Sequence, residues 1–155
     1  MTKMTFNELI ENFGKTCGAE LAATDGAVAL EIDGMSVTVQ EVPERDALVV
    51  TGDVGEPPPE GLEALMTAML EANYMFLGTG GGTLARNPET GRFHLCRLSS
   101  LASLDDAGFA ALMETFANVL ETWRKMLADY RPAAADAAPL DAVPPAFGAS
   151  GFMQI

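Results

Sequence analysis

The spacing of apolar residues predicts three amphipathic helices along the chain. The first begins at Thr5, which can form a T-x-x-E capping box with Glu8, and it closes at Gly18. Apolar side chains recur every three or four residues in this stretch, so they share one helical face. These apolar positions are Phe6, Leu9, Ile10, Phe13 and Cys17.

The second predicted helix is apolar over more than one stripe, which predicts that it contacts two surfaces. Its periodicity stops at Gly78, where we expect the helix to end. The third runs for about 25 residues, roughly 38 Å at 1.5 Å per residue, from a cap at Ser103 to Pro132. The helical register of Trp123 in that third helix predicts a core position. The second helix carries Leu62, Leu65, Met66, Met69, Leu70, Tyr74 and Leu77.

Alternating apolar and polar residues predict strands before and after the second helix. The first three strands are expected at 27–32, 35–42 and 47–51, with Asp33 and Gly34 as a hairpin turn. Residues 52–61 contain three consecutive prolines and form a linker. Two further short strands flank a turn-rich cluster at 87–91. The sequence therefore predicts an α+β fold, with a five-stranded antiparallel sheet covered by three helices.

The composition and net charge of the chain exclude some classes of binding partner. The chain has 155 residues, 48% of them apolar, which fits one globular domain at 1–131. Its net charge of −13 would repel nucleic acid and anionic membranes, but it is compatible with a basic or apolar polypeptide. The N-terminus shows no signal peptide and the chain no apolar spanning run, so we expect a cytoplasmic protein.

Residues 132–155 differ from the rest of the chain. Alanine and proline dominate up to Pro145, which is typical of a flexible tail. The last nine residues include two phenylalanines, a methionine and an isoleucine. We hypothesise that this apolar end docks in a groove of its own chain or of a neighbour.

Candidate catalytic chemistry is sparse. The glycine-rich run 78–82 lacks the GK[ST] ending of a phosphate loop and follows a helix, so helix termination explains it better. His94 and Cys96 share one strand face, but a zinc site would need two more ligands. With a single histidine, the chain offers few acid–base arrangements. We therefore expect no metal, no cofactor and no enzyme activity.

One segment carries a family resemblance. A helix is followed by Gly78-Thr79-Gly80-Gly81-Gly82-Thr83-Leu84, then by Pro88-Glu89-Thr90-Gly91-Arg92, a strand and a Trp-bearing helix. This order resembles the Tir chaperone (CesT-like) family, the class I chaperones of bacterial type III secretion. The resemblance spans roughly 4–131 and is most specific from 72 to 125.

The resemblance implies a protomer of order α-β-β-β-α-β-β-α that forms a homodimer. The central helix and the strand after the glycines would form its two-fold interface, which must be self-complementary. By that analogy the interface residues are Leu65, Met66, Met69, Asn73 and Leu84.

The resemblance also implies a function. The protein would be a cytoplasmic chaperone that binds the extended N-terminal segment of a secreted effector and keeps it soluble and competent for secretion, without ATP. The alternatives are a structural or regulatory dimer that binds a folded partner, and a small enzyme. The groove candidates, each of which also fits a plain core, are Phe6, Leu9, Phe13, Val28, Leu30, Val37 and Val39.

Overall fold

A computed structural model of the protein describes residues 3 to 132. The α-helices in this range are α1 (Phe6–Cys17), α2 (Leu62–Asn73) and α3 (Asp106–Asp129). The strands are β1 (Ala27–Ile32), β2 (Met35–Val42), β3 (Ala47–Gly55), β4 (Thr83–Arg86) and β5 (Phe93–Ser100). They form one antiparallel sheet of order β1-β2-β3-β5-β4. The predicted α+β fold and element order are confirmed.

The chain divides into two compact units. The first comprises the chain up to Gly52 together with Cys96–Ala117, and the second comprises Asp53–Leu95 and the chain from Asn118 onward. Within residues 3–132, none of the helices has the length and apolar character that crossing a membrane requires. The predicted tail, with the docking hypothesis attached to it, lies outside the described residues apart from Pro132.

The capping box of α1 is present as predicted. The Glu8 amide donates to Thr5 Oγ1 at 3.3 Å, and the Thr5 amide donates to the Glu8 carboxylate at 2.8 Å. These bonds to Thr5 lower the pKa of Glu8, because they favour the ionised carboxylate. Gly18 ends the helix in the left-handed conformation, with φ of 74°.

Strands β1 and β2 are joined by the predicted hairpin turn, in which Asp33 and Gly34 both have positive φ. Strand β3 runs further than predicted, to Gly55 instead of Thr51. The reason is that Gly52 stays in the ladder opposite Val37, so the glycine does not end the strand. The predicted linker therefore begins later.

Helix α2 ends earlier than predicted, at Asn73 instead of the residue before Gly78. Met75 and Phe76 then adopt positive φ, 54° and 57°, so the chain turns sharply. Gly78 folds back on the helix: its amide donates to the Ala72 carbonyl at 2.8 Å. A Cβ at Gly78 would lie 2.5 Å from that of Ala72, so the glycine serves close approach and not the helix cap.

The start of α3 also corrects the sequence prediction. The side chain of Asp105 accepts from the Gly108 amide at 2.7 Å and caps the helix. Ser103, the predicted cap, lies in a preceding 3-10 turn and donates to the Ser100 carbonyl instead. Trp123 is fully buried, so its predicted core position is confirmed. Its Nε1 donates to the Gly78 carbonyl at 2.8 Å, a contact that the helical period could not predict.

Candidate protein-binding surfaces

Six of the seven groove candidates lie in the core of the first unit. Their exposed fractions are 8% or less, which leaves them little surface for a partner. Phe13 differs, because it is half-buried and meets Phe109 edge-to-face at a centroid distance of 5.2 Å. The buried six are Phe6, Leu9, Val28, Leu30, Val37 and Val39.

The four strand candidates do share one face of the sheet. Val28 lies opposite Val39, and Leu30 lies opposite Val37, in the β1–β2 register. Cross-strand partners point to the same side, so the structure brings these four together. Leu98 of β5 also belongs to this unit and is 48% exposed. Sequence reasoning missed Leu98, since one leucine in a strand that is otherwise half polar gives no periodic signal.

The dimer candidates fall into two groups. Leu65, Met69 and Leu84 are at most 6% exposed, so they pack inside the protomer. Met66 is 37% exposed, and Asn73 is half-buried. Of the five, Met66 thus presents the largest apolar surface.

Around Met66 the exposed apolar surface extends beyond the five dimer candidates, as expected for a helix that is apolar over more than one stripe. Met66, Leu70 and Tyr74 follow at intervals of four, the spacing of one helix face. Leu70 is 69% and Tyr74 71% exposed, values unusual for such large side chains without a partner. We call the whole set the α2 apolar surface: Met66, Leu70, Tyr74, Met75 and Phe76.

Hydrogen bonds at the turn after α2 hold this surface in place. Non-glycine residues at positive φ, such as Met75 and Phe76, cost about 1–3 kcal/mol each and persist where the surroundings impose them. Here Gly78 is fixed on one side by the Ala72 carbonyl and on the other by Trp123 Nε1. The turn therefore presents exposed Met75 and Phe76 in a preorganised form.

Asn73 has a role inside the protomer. Its side-chain amide accepts from the Leu84 amide at 2.8 Å and donates to the Leu84 carbonyl at 3.0 Å. Both polar groups of the side chain are thus bonded to strand β4. One sequence feature could have predicted this contact. Asn73 carries both a hydrogen-bond donor and an acceptor, and it stands at the end of a helix that is otherwise apolar.

A charged cluster joins three segments of the second unit. Arg92 contacts Asp53 through Nε at 3.0 Å and Nη2 at 2.6 Å, and reaches Glu56 through Nη1 at 2.8 Å. Arg124 donates to the Asp53 carbonyl at 2.9 Å. The guanidinium of Arg92 lowers the pKa of Asp53, and the same pairing raises the pKa of Arg92.

Replacing Asp53 with asparagine tests this cluster through pH. Because the pKa of Asp53 is lowered on folding, its pairing with Arg92 stabilises the protein above the ordinary value of 3.8 and loses that effect as pH falls through the folded value. We expect Asp53→Asn to cost up to about 1 kcal/mol at pH 7, since the pair is partly solvated. The difference in urea midpoint between the variant and the native protein should shrink as the pH is lowered from 7 to well below 3.8. A difference that does not change over this range would contradict this.

The residues considered for metal or nucleophilic chemistry do not converge. His94 Nε2 lies 3.9 Å from an Asp53 oxygen, and burial raises the pKa of the Cys96 thiol. Across residues 3–132, no group of three or more His, Cys, Asp or Glu side chains is placed to hold a metal ion.

These features describe a small α+β protein that exposes several large apolar side chains, and its family follows from comparison with known sequences. The model of the Tir chaperone protein (CesT) family matches residues 8–124, and the chain belongs to that family. The resemblance drawn from the glycine-rich segment is therefore confirmed. No curated protein matches the chain.

Solved structures share the fold at low sequence identity. A chain of the ExsC–ExsE complex aligns with a TM-score of 0.69 and 22% identity, over 83% of this chain and 95% of that one. A chain of the Yersinia pestis type III secretion chaperone SycH bound to a fragment of YscM2 gives 0.62 and 18%, over 77% and 99%. A chain of the heterodimeric ExoU–SpcU complex of Pseudomonas aeruginosa gives 0.60 and 15%, over 88% and 98%.

Proposed function

We propose that this protein is a type III secretion chaperone that binds the extended N-terminal segment of an effector and keeps it soluble and competent for secretion. Membership of the Tir chaperone family carries this proposal. Binding acts by mass action on the unfolded segment and requires no ATP. The net charge of −13 suits a basic or apolar client and keeps a protein with exposed apolar groups in solution.

The proposed working form is a homodimer whose interface includes the α2 apolar surface. Its side chains project from one helix face and from the turn that follows, and a symmetry mate can cover such a surface with its own copy. Met66 contributes directly. Leu65, Met69, Asn73 and Leu84 are proposed to shape the interface from beneath, since they are buried or half-buried in the protomer.

The client surface is proposed to lie on the first unit. Phe13 supplies accessible aromatic surface, and the six buried candidates belong to the core of the same unit. Exposed Leu98 of the same unit is a further apolar contact for a client. Residues 1–131 constitute the chaperone domain in this proposal, which the family match at 8–124 supports.

The mass of the protein in solution tests the proposal most directly. The protein alone should be a dimer, and co-expression with the N-terminal segment of a secreted effector encoded nearby should give a stable complex of two chaperones with one segment. A monomer that ignores the segment would overturn both the dimer and the client. A dimer that binds only a folded partner would favour a structural or regulatory role.

Substitutions on the first unit separate binding from stability. We expect Phe13→Ala to weaken the binding of the effector segment at least tenfold, or by about 1.4 kcal/mol, because an accessible aromatic anchor is lost. Val39→Ala, at a fully buried position, should instead lower the free energy of unfolding by about 1–3 kcal/mol. Calorimetric titration and urea unfolding measure the two effects. If Phe13→Ala binds the segment as the native protein does, the groove lies elsewhere.

The proposal places the protein in the cytoplasm and assigns it no catalytic activity. Membership of a chaperone family supports both statements.

A further inference from the structure

The exposed apolar side chains of the protein are concentrated in one place. Of the six large apolar side chains that are exposed within residues 3–132, five form the α2 apolar surface. The sixth, Leu98, belongs to the first unit. A contiguous apolar patch on a soluble protein commonly marks a surface that another segment or molecule covers.

The last described residues lie beside the beginning of α2. The Tyr130 hydroxyl donates to the Gly61 carbonyl at 2.8 Å. Pro132 approaches the same glycine, because a Cβ at Gly61 would lie 2.8 Å from the Pro132 Cβ. Gly61 immediately precedes the first residue of α2, and all of these residues belong to the second unit. The chain beyond Pro132 therefore leaves the protomer at the N-terminal end of α2.

The apolar end of the chain can reach the α2 apolar surface of its own protomer. We call residues 147–155 the apolar tail segment. Residues 133–146 separate this segment from Pro132. Such a stretch can span up to about 46–50 Å at 3.3–3.6 Å per residue, whereas the twelve residues of α2 extend only about 18 Å at 1.5 Å per residue. Every part of the α2 apolar surface is within that reach.

The chemistry of the apolar tail segment fits this surface. The segment contains two phenylalanines, a methionine and an isoleucine, and it has no charged side chain. The charged residues of α2 are both acidic, Glu63 and Glu71, and an uncharged segment avoids repulsion from them. Met66 and Met75 supply flexible thioethers, which adapt to neighbouring side chains and make favourable contacts with aromatic rings.

We propose that the apolar tail segment packs on the α2 apolar surface of its own protomer and competes there with a second copy of the chain. The competition rests on the proposed homodimer, whereas the docking itself does not. In a free protomer the segment covers apolar groups that would otherwise face water. The dimer forms when both copies have released their segments.

Tethering makes even weak docking effective. A segment held by a short linker competes at an effective concentration on the order of millimolar. With a dissociation constant of about 0.1 mM for the segment, about nine of ten protomers would be covered. Because both surfaces must be free, the dimer would then be weakened on the order of a hundredfold.

Methionine oxidation by hydrogen peroxide tests the docking in the full chain without effector. The protein is diluted until sedimentation shows only monomer, and sulfoxide formation is followed by mass spectrometry. We expect Met66 and Met75 to oxidise at least fivefold faster when Phe147→Ser and Phe152→Ser are combined. Met69, which is buried in the same helix, should stay slow and so report an intact fold.

Leu140→Ser is the matched control, because it removes an apolar side chain of the tail outside the apolar tail segment. Its methionines should oxidise as in the native protein. Equal oxidation of Met66 and Met75 in the native protein and the double serine variant would overturn the docking. Protection that appears only as the concentration rises would also overturn it, since a second copy would then cover the surface.

Sedimentation equilibrium of the same proteins tests the competition. The double serine variant should dimerise with a dissociation constant at least tenfold lower than that of the native protein, and Leu140→Ser should match the native value. An unchanged dissociation constant together with lost protection would overturn the competition. If the segment protects the methionines but none of the proteins dimerises, the docking stands and the proposed homodimer fails.

Discussion

Replacing Trp123 with alanine is expected to lower the free energy of unfolding by about 3–5 kcal/mol, the largest loss for any single side chain of α3. Trp123 is fully buried, so its removal leaves a cavity in the second unit. It also removes the donor to the Gly78 carbonyl, which holds the turn after α2. Urea unfolding followed by circular dichroism measures the effect, because the substitution removes the only tryptophan.

A matched pair of variants separates the two contributions of Trp123. Trp123→Phe keeps most of the apolar volume but loses the hydrogen bond, and should cost about 1–3 kcal/mol. Asn118→Ala changes an exposed side chain of the same helix and should stay within about 0.5 kcal/mol of the native protein. If Trp123→Ala costs no more than Asn118→Ala, the tryptophan does not support the turn.

The helical period predicted that Trp123 lies in the core, but it could not predict the partner. Period 3.6 reports which face of a helix is apolar, whereas the contact with Gly78 joins residues 45 positions apart. The same limit applies to Asn73, whose side chain bonds strand β4. Such contacts depend on how the helices and strands pack against one another, which the spacing of apolar residues does not predict.

Short sequence motifs predicted the structure correctly where the interactions join neighbouring residues. The Thr5–Glu8 capping box and the Asp33–Gly34 turn need only neighbouring residues, and both are present. The prediction that α2 ends at Gly78 is wrong, because a glycine after the last apolar position does not by itself mark the helix end. In the structure the break comes at Met75 and Phe76, two side chains that ordinarily avoid positive φ.

The two sets of candidate surface residues show a related limit. Apolar spacing identified residues with large apolar side chains, but it could not separate core from surface in a strand such as β1. Six of seven groove candidates are buried. Leu70 and Tyr74, in contrast, belong to the apolar pattern that predicts α2, and they are 69% and 71% exposed. Burial depends on which helix face meets the rest of the unit, and both faces of α2 are apolar.

Replacing Leu70 with glutamate is expected to convert the proposed dimer to a folded monomer. Leu70 is the exposed leucine of the α2 apolar surface, and a two-fold interface contains the residue twice. Burying a leucine side chain contributes about 2 kcal/mol per copy, so the dissociation constant should rise on the order of a thousandfold. Stability of the protomer should change little, because the side chain is 69% exposed.

Sedimentation equilibrium measures the dissociation constant, and Leu98→Glu is the matched control. Leu98 is also an exposed leucine, at 48%, but it lies in the first unit and outside the α2 apolar surface. The control should remain a dimer. If Leu98→Glu has an effect, it should be weaker binding of the effector segment. Dissociation of both variants would indicate a loss from added charge alone, since the chain already carries −13. If the Leu70→Glu variant remains a dimer, the dimer interface does not include the α2 apolar surface.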